Sequence, residues 1–525
     1  MRMTKISGLA KIEAALIAGG FLFFALLAPK LIFEIDDEGY VLYIAQQILD
    51  GRRLYTDIEL FTYLPGLFYL FACLLHFAKG EITTLHFLLA LPLTLNAWLT
   101  FRIVKNHAGL LMGLVATVVF LLYPGPWNRF YIPTLNLAIL FCVSQFLLTS
   151  QTKWLGWLGA IASIGLGIRI DAGACGLAML AACAMVSPLL MPSVPRQKLL
   201  RIASLGFLSA LAVTLSLIAS AGILGDFLSQ VFGIGAQISE RSTADIKMAA
   251  PALRELWWLD IFAWQFYLSL LIPAGLAGLL AWFWHRQEKE WCFWLLLLVW
   301  MGFNLPQYVI ERPDMIHLCH RFFALLIAAL IAIHRLLGLA QTGSKMFRCI
   351  ATSCVIALVC SISFIFVSLC QNTNYSFLFG LSNPRIVCLS KGRCFPSSKF
   401  MAHLTPLLEK VSKDKIPGDS IAVLPFAPGM AFLLKMPMPG SRSYLLPISL
   451  RRPNAERNYV QDLLASKTRY VLLDFTFKYS QNTASGLDSY APYLYQTLRE
   501  CFVITEQQKN WQLLRRNEKE CKPIS

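Results

Sequence analysis

Residues 12–40 read IEAALIAGGFLFFALLAPKLIFEIDDEGY, an apolar run followed directly by a group of carboxylates. An α-helix needs about 20 apolar residues to cross roughly 30 Å of hydrocarbon, and residues 12–33 reach that length. Basic residues precede the run and no small-residue cleavage site follows it. This pattern predicts an uncleaved membrane anchor rather than a removable signal peptide, with the carboxylates placed where the helix leaves the membrane.

Apolar runs of similar length recur along the first 370 residues. Hydrophobic residues make up 57% of the 525-residue chain and charged residues 14%, whereas soluble proteins carry about 25% charged residues. The mean hydropathy of +0.58 excludes a single soluble core, because much of the apolar surface would face water. The sequence predicts a mainly α-helical, polytopic membrane protein with about 11–13 transmembrane helices. Ten runs follow the first one, at residues 82–101, 110–123, 135–149, 155–168, 173–191, 202–224, 262–284, 291–310, 322–337 and 350–369.

A twelfth apolar run, residues 61–78, carries Pro65-Gly66 near its start and is predicted to be re-entrant or interfacial. Basic residues in short loops mark the cytoplasmic side of a membrane protein. With a cytoplasmic N-terminus and eleven crossings, five basic loops fall inside, which places the C-terminal residues outside. These loops hold Arg102 with Lys105, Lys153, Arg196 with Lys198 and Arg201, His285 with Arg286 and Lys289, and Arg335 with Lys345 and Arg348.

Residues 371–525 have the composition of a soluble domain, and residues 1–370 that of a transmembrane domain. Strands at 420–426 and 469–475 alternate with helices at 429–435, 454–466 and 489–500, and a hairpin closes the domain at 501–505 and 511–515. This alternation predicts a small extracytoplasmic α/β domain. The domain contains 21 Lys and Arg residues against 11 Asp and Glu residues. Its positive surface either lies near anionic lipid headgroups or binds an anionic glycan acceptor, whereas nucleic acid is excluded as a partner outside the cell.

The 14 cysteines lie mostly in apolar runs, where they act as small hydrophobic residues. Cys388 and Cys394 lie outside those runs and are predicted to form a disulfide, if this part of the chain faces an oxidising compartment. No Cys-x-x-Cys or Cys/His spacing indicates a metal. No cofactor is therefore predicted, although first-loop carboxylates have the chemistry to hold a divalent ion.

The first predicted outer loop, residues 34–60, carries an ordered set of polar residues. It opens with Glu34, Asp36, Asp37 and Glu38 at the helix exit. Gly51-Arg-Arg-Leu-Tyr-Thr-Asp57 and then Tyr63-Leu-Pro-Gly66 come next in the sequence. Taken alone, the carboxylates are also typical of a polar helix end on an outer loop, and that interpretation stays open here.

This order of residues resembles the GT-C membrane glycosyltransferase superfamily: the protein O-mannosyltransferases, the lipid A aminoarabinose transferases and related bacterial lipopolysaccharide sugar transferases. Their pattern is an Asp-Glu pair after the first helix, a Tyr, then Gly-x-x-x-Tyr-x-Asp and a Pro-rich helix start. The resemblance covers residues 1–80 best and implies an enzyme of the cell envelope in the bacterial inner (plasma) membrane. The matching residues are Asp37-Glu38, Tyr40 or Tyr43, Gly51, Tyr55, Asp57 and Pro65-Gly66.

The resemblance implies an inverting hexosyl- or pentosyltransferase. It would move a sugar from a polyprenyl-phosphate donor in the membrane lipid to an extracytoplasmic glycolipid, polysaccharide or protein. Such a transfer needs a base for the acceptor hydroxyl and positive charge for the departing phosphate. Asp37 is predicted to be the base, with Asp36 as its competitor and Glu38 or Asp57 in a supporting role.

Cationic residues that could bind the phosphate occur in three places. Arg52 and Arg53 lie in the first outer loop, Arg169 and Asp171 lie between two apolar runs, and Arg312, Asp314 and His317 follow another run. Each group has a plainer explanation, because boundary cations extend to headgroups and Arg169 could simply neutralise Asp171. The aminoarabinose branch has Lys-Pro-Pro where this chain has Tyr63-Leu-Pro65, so no lysine ligand is carried over and Tyr63 becomes the substrate-binding candidate.

Two other functions stay open at this stage. A transporter or flippase of a lipid-linked glycan is disfavoured, because no internal repeat with matched broken helices occurs in the sequence. A glycan polymerase or ligase would share the donor but would place its key residues in a late outer loop. A non-catalytic receptor or scaffold is the remaining alternative.

Overall fold

The computed structural model describes residues 2–60, 64–122, 127–190, 192, 194–229, 261–305, 315–372, 385–397, 399–450, 454–466, 468–477 and 486–517. Contacts divide the chain into two compact units. The first unit consists of Met1–Leu27, Leu89–Leu217 and Val231–Leu381, and the second of Ala28–Leu88, Ile218–Gln230 and Ser382–Ser525. The predicted domains, 1–370 in the membrane and 371–525 outside it, follow the membrane rather than these contacts and stay a prediction.

Long apolar helices make up the first unit. Eight helical segments in the described residues are long and apolar enough to cross a membrane, and there are three shorter apolar helices, one of which, Pro65–Phe77, belongs to the second unit. The chain is therefore an integral membrane protein, as its composition predicts. The helices of this unit are α1 (Arg2–Leu27), α5 (Ala90–Leu121), α6 (Tyr131–Thr149), α7 (Lys153–Ile168), α8 (Ile170–Leu190), α9 (Arg196–Ser220), α10 (Ile261–His285), α11 (Trp291–Asn304), α12 (Met315–Thr342) and α13 (Lys345–Asn372).

The chain reverses direction within α5. Gly109 has φ +84° and a non-helical backbone there, a conformation that glycine adopts at little cost. A Cβ placed on Gly113 would lie 2.9 Å from Cβ of Lys105, although eight residues of straight helix span about 12 Å. Two antiparallel helices therefore meet at Gly109, which confirms the predicted break between the runs 82–101 and 110–123, although the first run is divided at Leu89 and its helix continues to residue 108.

The first predicted run ends earlier than its composition suggests. Helix α1 stops at Leu27, and a 3-10 turn, Ala28–Lys30, follows it. Pro29 explains the change, because a proline lacks the backbone N–H that an α-helix needs and disfavours helical geometry in the residue before it. Residues 31–33 are thus not helical, and the chain enters the second unit.

The second unit combines short helices from the first 90 residues with the C-terminal part of the chain. Its early helices are α2 (Asp37–Leu49), α3 (Pro65–Phe77) and α4 (Ile82–Leu88). Its later elements are β1 (Arg385–Cys388), β2 (Cys394–Ser397), α14 (Lys399–Asp414), β3 (Ile421–Leu424), α15 (Gly429–Leu434), α16 (Ala455–Ala465), β4 (Tyr470–Asp474), α17 (Leu487–Tyr490), α18 (Pro492–Cys501), β5 (Phe502–Gln508) and β6 (Trp511–Arg516).

The C-terminal sheet has the strand order β3-β4-β6-β5, with β3 and β4 parallel and β5-β6 an antiparallel hairpin. Parallel neighbours need a crossover connection, and α15 and α16 lie between β3 and β4 in the chain. A buried apolar core that includes Leu424, Leu463 and Leu498 fills the space between sheet and helices. The α/β domain and its closing hairpin are confirmed, whereas the β1-β2 pair and α14 were not predicted.

The predicted disulfide is present. Cys388 and Cys394 are bonded across the β1-β2 turn. Arg393 of this turn is buried and donates to the backbone oxygens of Phe432 and Gly80 and to the side-chain oxygen of Gln46. The disulfide turn is thus attached to the loop between α3 and α4 and to α2.

Candidate active site around the first-loop carboxylates

The acidic segment 34–38 forms the entry to α2. The backbone N–H of Gly39 donates to the carbonyl of Glu34 at 2.8 Å, and that of Tyr40 donates to the carbonyl of Asp36 at 2.7 Å. Asp37 and Glu38 occupy the first turn of the helix. Carboxylates are favoured there, because the free N–H groups of a helix start carry partial positive charge.

Both side-chain oxygens of Glu38 are bonded within the protein. Its side chain is buried, and Oε1 lies 2.5 Å from Nε2 of His86 in α4. Its other oxygen, Oε2, accepts a hydrogen bond of 3.2 Å from the backbone N–H of Glu34. Glu38 therefore closes the acidic segment from inside and does not face solvent.

Asp36 has a different environment, two residues away. Its side chain is exposed to solvent, yet the surrounding protein limits its hydration. This desolvation, together with the neighbouring carboxylates of Glu34, Asp37 and Asp474, raises the pKa of Asp36 to about 7. Like charges at short range disfavour the ionised form of each carboxyl. Asp37, the predicted base, is partly buried beside it.

Asp474 comes from the other end of the chain. It is the last residue of β4, and its Oδ1 accepts hydrogen bonds of 3.0 and 2.9 Å from the backbone N–H and the hydroxyl of Thr476. Sequence reasoning did not select Asp474. Its position at the carboxyl end of a buried strand is the signal that could have indicated Asp474, since functional side chains often lie at the carboxyl ends of parallel strands.

A close backbone approach joins the start of α2 to the start of α15. Gly429 donates its N–H to the carbonyl of Ile35 at 2.9 Å. A Cβ placed on Gly429 would lie 2.6 Å from that carbonyl oxygen and 2.8 Å from Cα of Gly39. Glycine is required at both positions, because any side chain would separate the two segments. The acidic segment is thereby fixed from two sides.

Aromatic rings surround the first turn of α2. The ring of Tyr40, whose side chain is buried, lies 5.7 Å from Phe68, 6.2 Å from Phe426 and 5.4 Å from Tyr444. Tyr43 accepts a hydrogen bond of 2.8 Å from the backbone N–H of Met438, and burial raises the pKa of its hydroxyl to about 12. The two tyrosines of the predicted motif thus support the site through packing and a backbone contact.

The predicted residues of the Gly51–Asp57 motif form a turn that several hydrogen bonds hold in place. Arg52 donates to the side chain of Gln47 at 2.9 Å and to the carbonyls of Asp57 and Gly440 at 2.5 and 2.9 Å. Asp57 accepts a hydrogen bond of 2.8 Å from the backbone N–H of Arg53. The Arg53 side chain is 58% exposed and lies 3.8 Å from that carboxylate. Arg52 is thus occupied by the protein, whereas Arg53 faces solvent.

The other predicted charges belong to the first unit. Arg169 donates to Asp171 at 2.7 Å, and Arg321 of α12 donates to the other oxygen of the same carboxylate. Arg321 is buried at 2% exposure, and it lies 3.4 Å from the side-chain oxygen of Asn304. The predicted Arg169–Asp171 pair is therefore present within a larger cluster. Arg321 follows closely on the predicted Arg312–His317 group in the sequence, but its contact with Asp171 was not predicted.

Four predicted site residues lie wholly or partly outside the described residues. Tyr63, Arg312 and Asp314 lie outside the described residues, and of His317 only the backbone, within α12, is described. Among the side chains that the structure does describe, no group of three or more His, Cys, Asp or Glu residues is arranged to hold a metal ion.

No protein-family model matches the chain, and no curated protein sequence matches it either. Solved structures do match its fold. ArnT from Cupriavidus metallidurans bound to undecaprenyl phosphate superposes with a TM-score of 0.55 at 12% identity, over 99% of this chain and 100% of that one. The apo state of the same ArnT gives a TM-score of 0.52, also at 12% identity and with the same coverage.

A second solved protein shares the arrangement. The archaeal oligosaccharyltransferase AglB from Archaeoglobus fulgidus, in complex with an inhibitory peptide and a dolichol-phosphate, gives a TM-score of 0.51 at 10% identity. The match covers 97% of this chain and 75% of AglB. At this level of identity the comparisons establish the architecture alone. The predicted resemblance is confirmed at that level alone: the chain shares the polytopic membrane fold of ArnT and AglB.

Proposed function

We propose that the protein is an inverting glycosyltransferase that moves a sugar from a polyprenyl-phosphate donor to an extracytoplasmic acceptor. The observation that carries the proposal is the acidic segment at the start of α2, with Asp36 and Asp37 adjacent to one another, in a chain with this fold. The structural neighbours ArnT and AglB were solved with undecaprenyl phosphate and dolichol-phosphate. Their ligands support a lipid phosphate as the carrier here.

The chemistry assigned to the segment is a single displacement. Asp37 takes the proton from the acceptor hydroxyl as its oxygen attacks the anomeric carbon of the sugar. The bond between that carbon and the phosphate oxygen breaks, and the polyprenyl phosphate leaves with the electron pair, so the anomeric configuration inverts. A positioned general base contributes typically 10²–10⁴-fold to such a rate. Asp36 stays the competitor for this role, because it is the carboxyl with the perturbed pKa.

The departing phosphate needs a cation, and several residues stay candidates. Arg53 is better placed than Arg52, because Arg52 already donates to three protein oxygens whereas Arg53 is exposed. Arg169, together with Asp171, is a second candidate. Arg312, Asp314 and His317 are the third, and Tyr63 remains a candidate contact to the donor.

We place the protein in the bacterial inner membrane, with the N-terminus in the cytoplasm and residues 371–525 outside. The Cys388–Cys394 disulfide supports this, because disulfides persist in oxidising compartments. The positive C-terminal residues would then meet an anionic glycan acceptor. Alkaline phosphatase fused after Gln371 should be active, since this enzyme works only when exported. An inactive fusion, with a fluorescent cytoplasmic counterpart, would contradict the topology.

The activity is tested with purified protein and a panel of polyprenyl-phosphate sugars. Release of free polyprenyl phosphate that depends on both the sugar donor and an acceptor is expected from the wild-type protein. A transporter or flippase would move the donor between leaflets of a vesicle without releasing the carrier. Donor movement with an intact carrier across the whole panel would therefore replace the proposed function by transport.

A further inference from the structure

His86 is a buried residue that the proposed displacement does not use. It lies in the short helix α4, at 0% exposure. Its Nε2 is 2.5 Å from Glu38 Oε1. A carboxylate offers lone pairs only, so the imidazole donates through Nε2. Its Nδ1 is buried and has no hydrogen-bond partner among the described residues, so Glu38 supplies the one hydrogen bond described for the ring.

The contacts of Glu38 link His86 to the predicted base. One oxygen of Glu38 is held by His86, and the other accepts from the backbone N–H of Glu34. The carbonyl of Glu34 in turn accepts from Gly39. These hydrogen bonds tie residue 34 to residues 38 and 39, and Asp36 and Asp37 lie in the segment between them. The position of those two carboxylates therefore depends on the orientation of the Glu38 side chain.

Helix α4 provides a fixed support for His86. Ile82 and Leu85 are buried at 0% exposure on the same short helix. The helix packs against the 3-10 turn Ala28–Lys30 and against β2. Arg393, directly before β2, donates to the carbonyl of Gly80 just ahead of α4. The imidazole is therefore presented by an element that the disulfide-bonded turn anchors.

We propose that His86 is a positioning residue: by holding Glu38, it fixes the segment 34–37 and thereby the place of Asp37 against the donor. The proposal rests on the proposed function, because it assigns His86 to the same site. A shift of about 1 Å in a reacting group can lower a rate by about 10²-fold without weakening substrate binding. The expected signature is thus a loss in kcat with an unchanged KM.

The test compares two amides of different reach. In His86→Gln the side-chain N–H₂ lies where Nε2 was, whereas in His86→Asn it lies near the place of Nδ1 and cannot reach Glu38. Both variants keep the polarity of the site, so both are expected to fold. His86→Asn should lower kcat for polyprenyl phosphate release by about 10²-fold. His86→Gln should stay within about fivefold of wild type, with KM for the donor unchanged in both.

A second measurement does not depend on activity. Hydrogen–deuterium exchange of the peptide that contains residues 34–40 should be faster in His86→Asn than in wild type or His86→Gln, because the amides of Glu34 and Gly39 lose their constraint. His107, which bonds Ser144 at 2.8 Å, supplies the matched control: His107→Asn should leave both exchange in this peptide and kcat unchanged.

The two proposals fail in different ways. If wild-type protein released no polyprenyl phosphate from any donor, the proposed function would fall, and the exchange comparison would still decide whether His86 holds the segment. If wild type is active and His86→Asn retains its kcat, or loses kcat with unaltered exchange, the positioning role is wrong. An equal loss in His86→Gln and His86→Asn would also overturn it.

Discussion

Two charged regions of this chain have opposite chemistry. The acidic segment 34–38 gathers carboxylates with Asp474, and the pKa of Asp36 rises to about 7 because it is desolvated beside like charges. The cluster of Arg169, Asp171 and Arg321 instead joins opposite charges, with both arginines donating to one carboxylate. Carboxylates grouped together resist ionisation, whereas a paired carboxylate is locked in its charged form.

The difference separates a site that can exchange a proton from one that braces helices. A base must be able to gain a proton, and the acidic segment contains one carboxyl group, that of Asp36, whose raised pKa favours this. The arginine cluster lies at the junction of α7 and α8 and reaches α12, so its contacts hold three helices of the first unit together. Changes in the first region should alter turnover, and a change at Arg321, which has no role in the proposed displacement, should alter stability.

The largest effect is expected at the acidic segment. Asp37→Asn keeps the shape of the side chain and removes the base, so polyprenyl phosphate release should fall by about 10²–10⁴-fold. The melting temperature and donor binding should stay near the wild-type values. Steady-state kinetics on the purified variants, with Asp36→Asn alongside, decide the assignment. Full activity in Asp37→Asn together with an inactive Asp36→Asn would move the base by one residue.

The arginine cluster should show the reverse pattern. Arg321→Met removes one partner of a part-buried carboxylate that keeps Arg169, which should cost about 1–3 kcal/mol of stability. Arg335→Met is the matched control on the same helix, because its partner Glu290 is at the surface and such pairs contribute about 1 kcal/mol or less. Thermal unfolding in detergent measures both. Equal melting temperatures for the two variants would show that the cluster does not stabilise the packing of α7, α8 and α12.

Sequence patterns predicted the elements that depend on local composition. Apolar runs near 20 residues became helices of the first unit, and the break at Gly109 separated two runs as the polar residues around it indicate. Strands β3 and β4 and the closing hairpin followed from short apolar segments between turns. The β1-β2 pair escaped prediction, because Arg385–Cys388 and Cys394–Ser397 are not continuous apolar segments as β3 is, and α14 was also missed.

Only part of the candidate site could be predicted from the sequence. The carboxylates at 34–38 stood out, since charge is expensive beside a membrane helix. The difference between exposed Asp36 and buried Glu38 was not visible, because it arises from contacts with His86 and with the chain around residue 474. A lone histidine in an apolar segment gives no sign of its partner, and Asp474 lies more than 400 residues away in the chain. Tertiary contacts set those environments.

The perturbed carboxyl should also appear in the pH dependence of stability. Because the pKa of Asp36 is raised in the folded state, its contribution to stability is full below its ordinary pKa of about 4 and is lost as the pH rises through about 7. Asp36→Asn is uncharged at every pH. Its melting temperature relative to wild type should therefore increase between about pH 4 and pH 7 and level off above that range. If the difference in melting temperature stayed constant over that range, the pKa of Asp36 would not be raised in the folded protein.

The smallest effect is expected from the carboxylate that the C-terminal part of the chain contributes. Asp474 is one of three like charges that raise the pKa of Asp36, after Glu34 and Asp37. Asp474→Asn should lower that pKa slightly, and Glu34→Gln should lower it further. The pKa is read from carbon-detected NMR of labelled aspartate or from the pH at which the stability difference above levels off. Asp488→Asn, at an exposed position of the same unit, should shift nothing. If Asp474→Asn behaved like Asp488→Asn while Glu34→Gln still lowered the pKa, the acidic region would consist of the first loop alone.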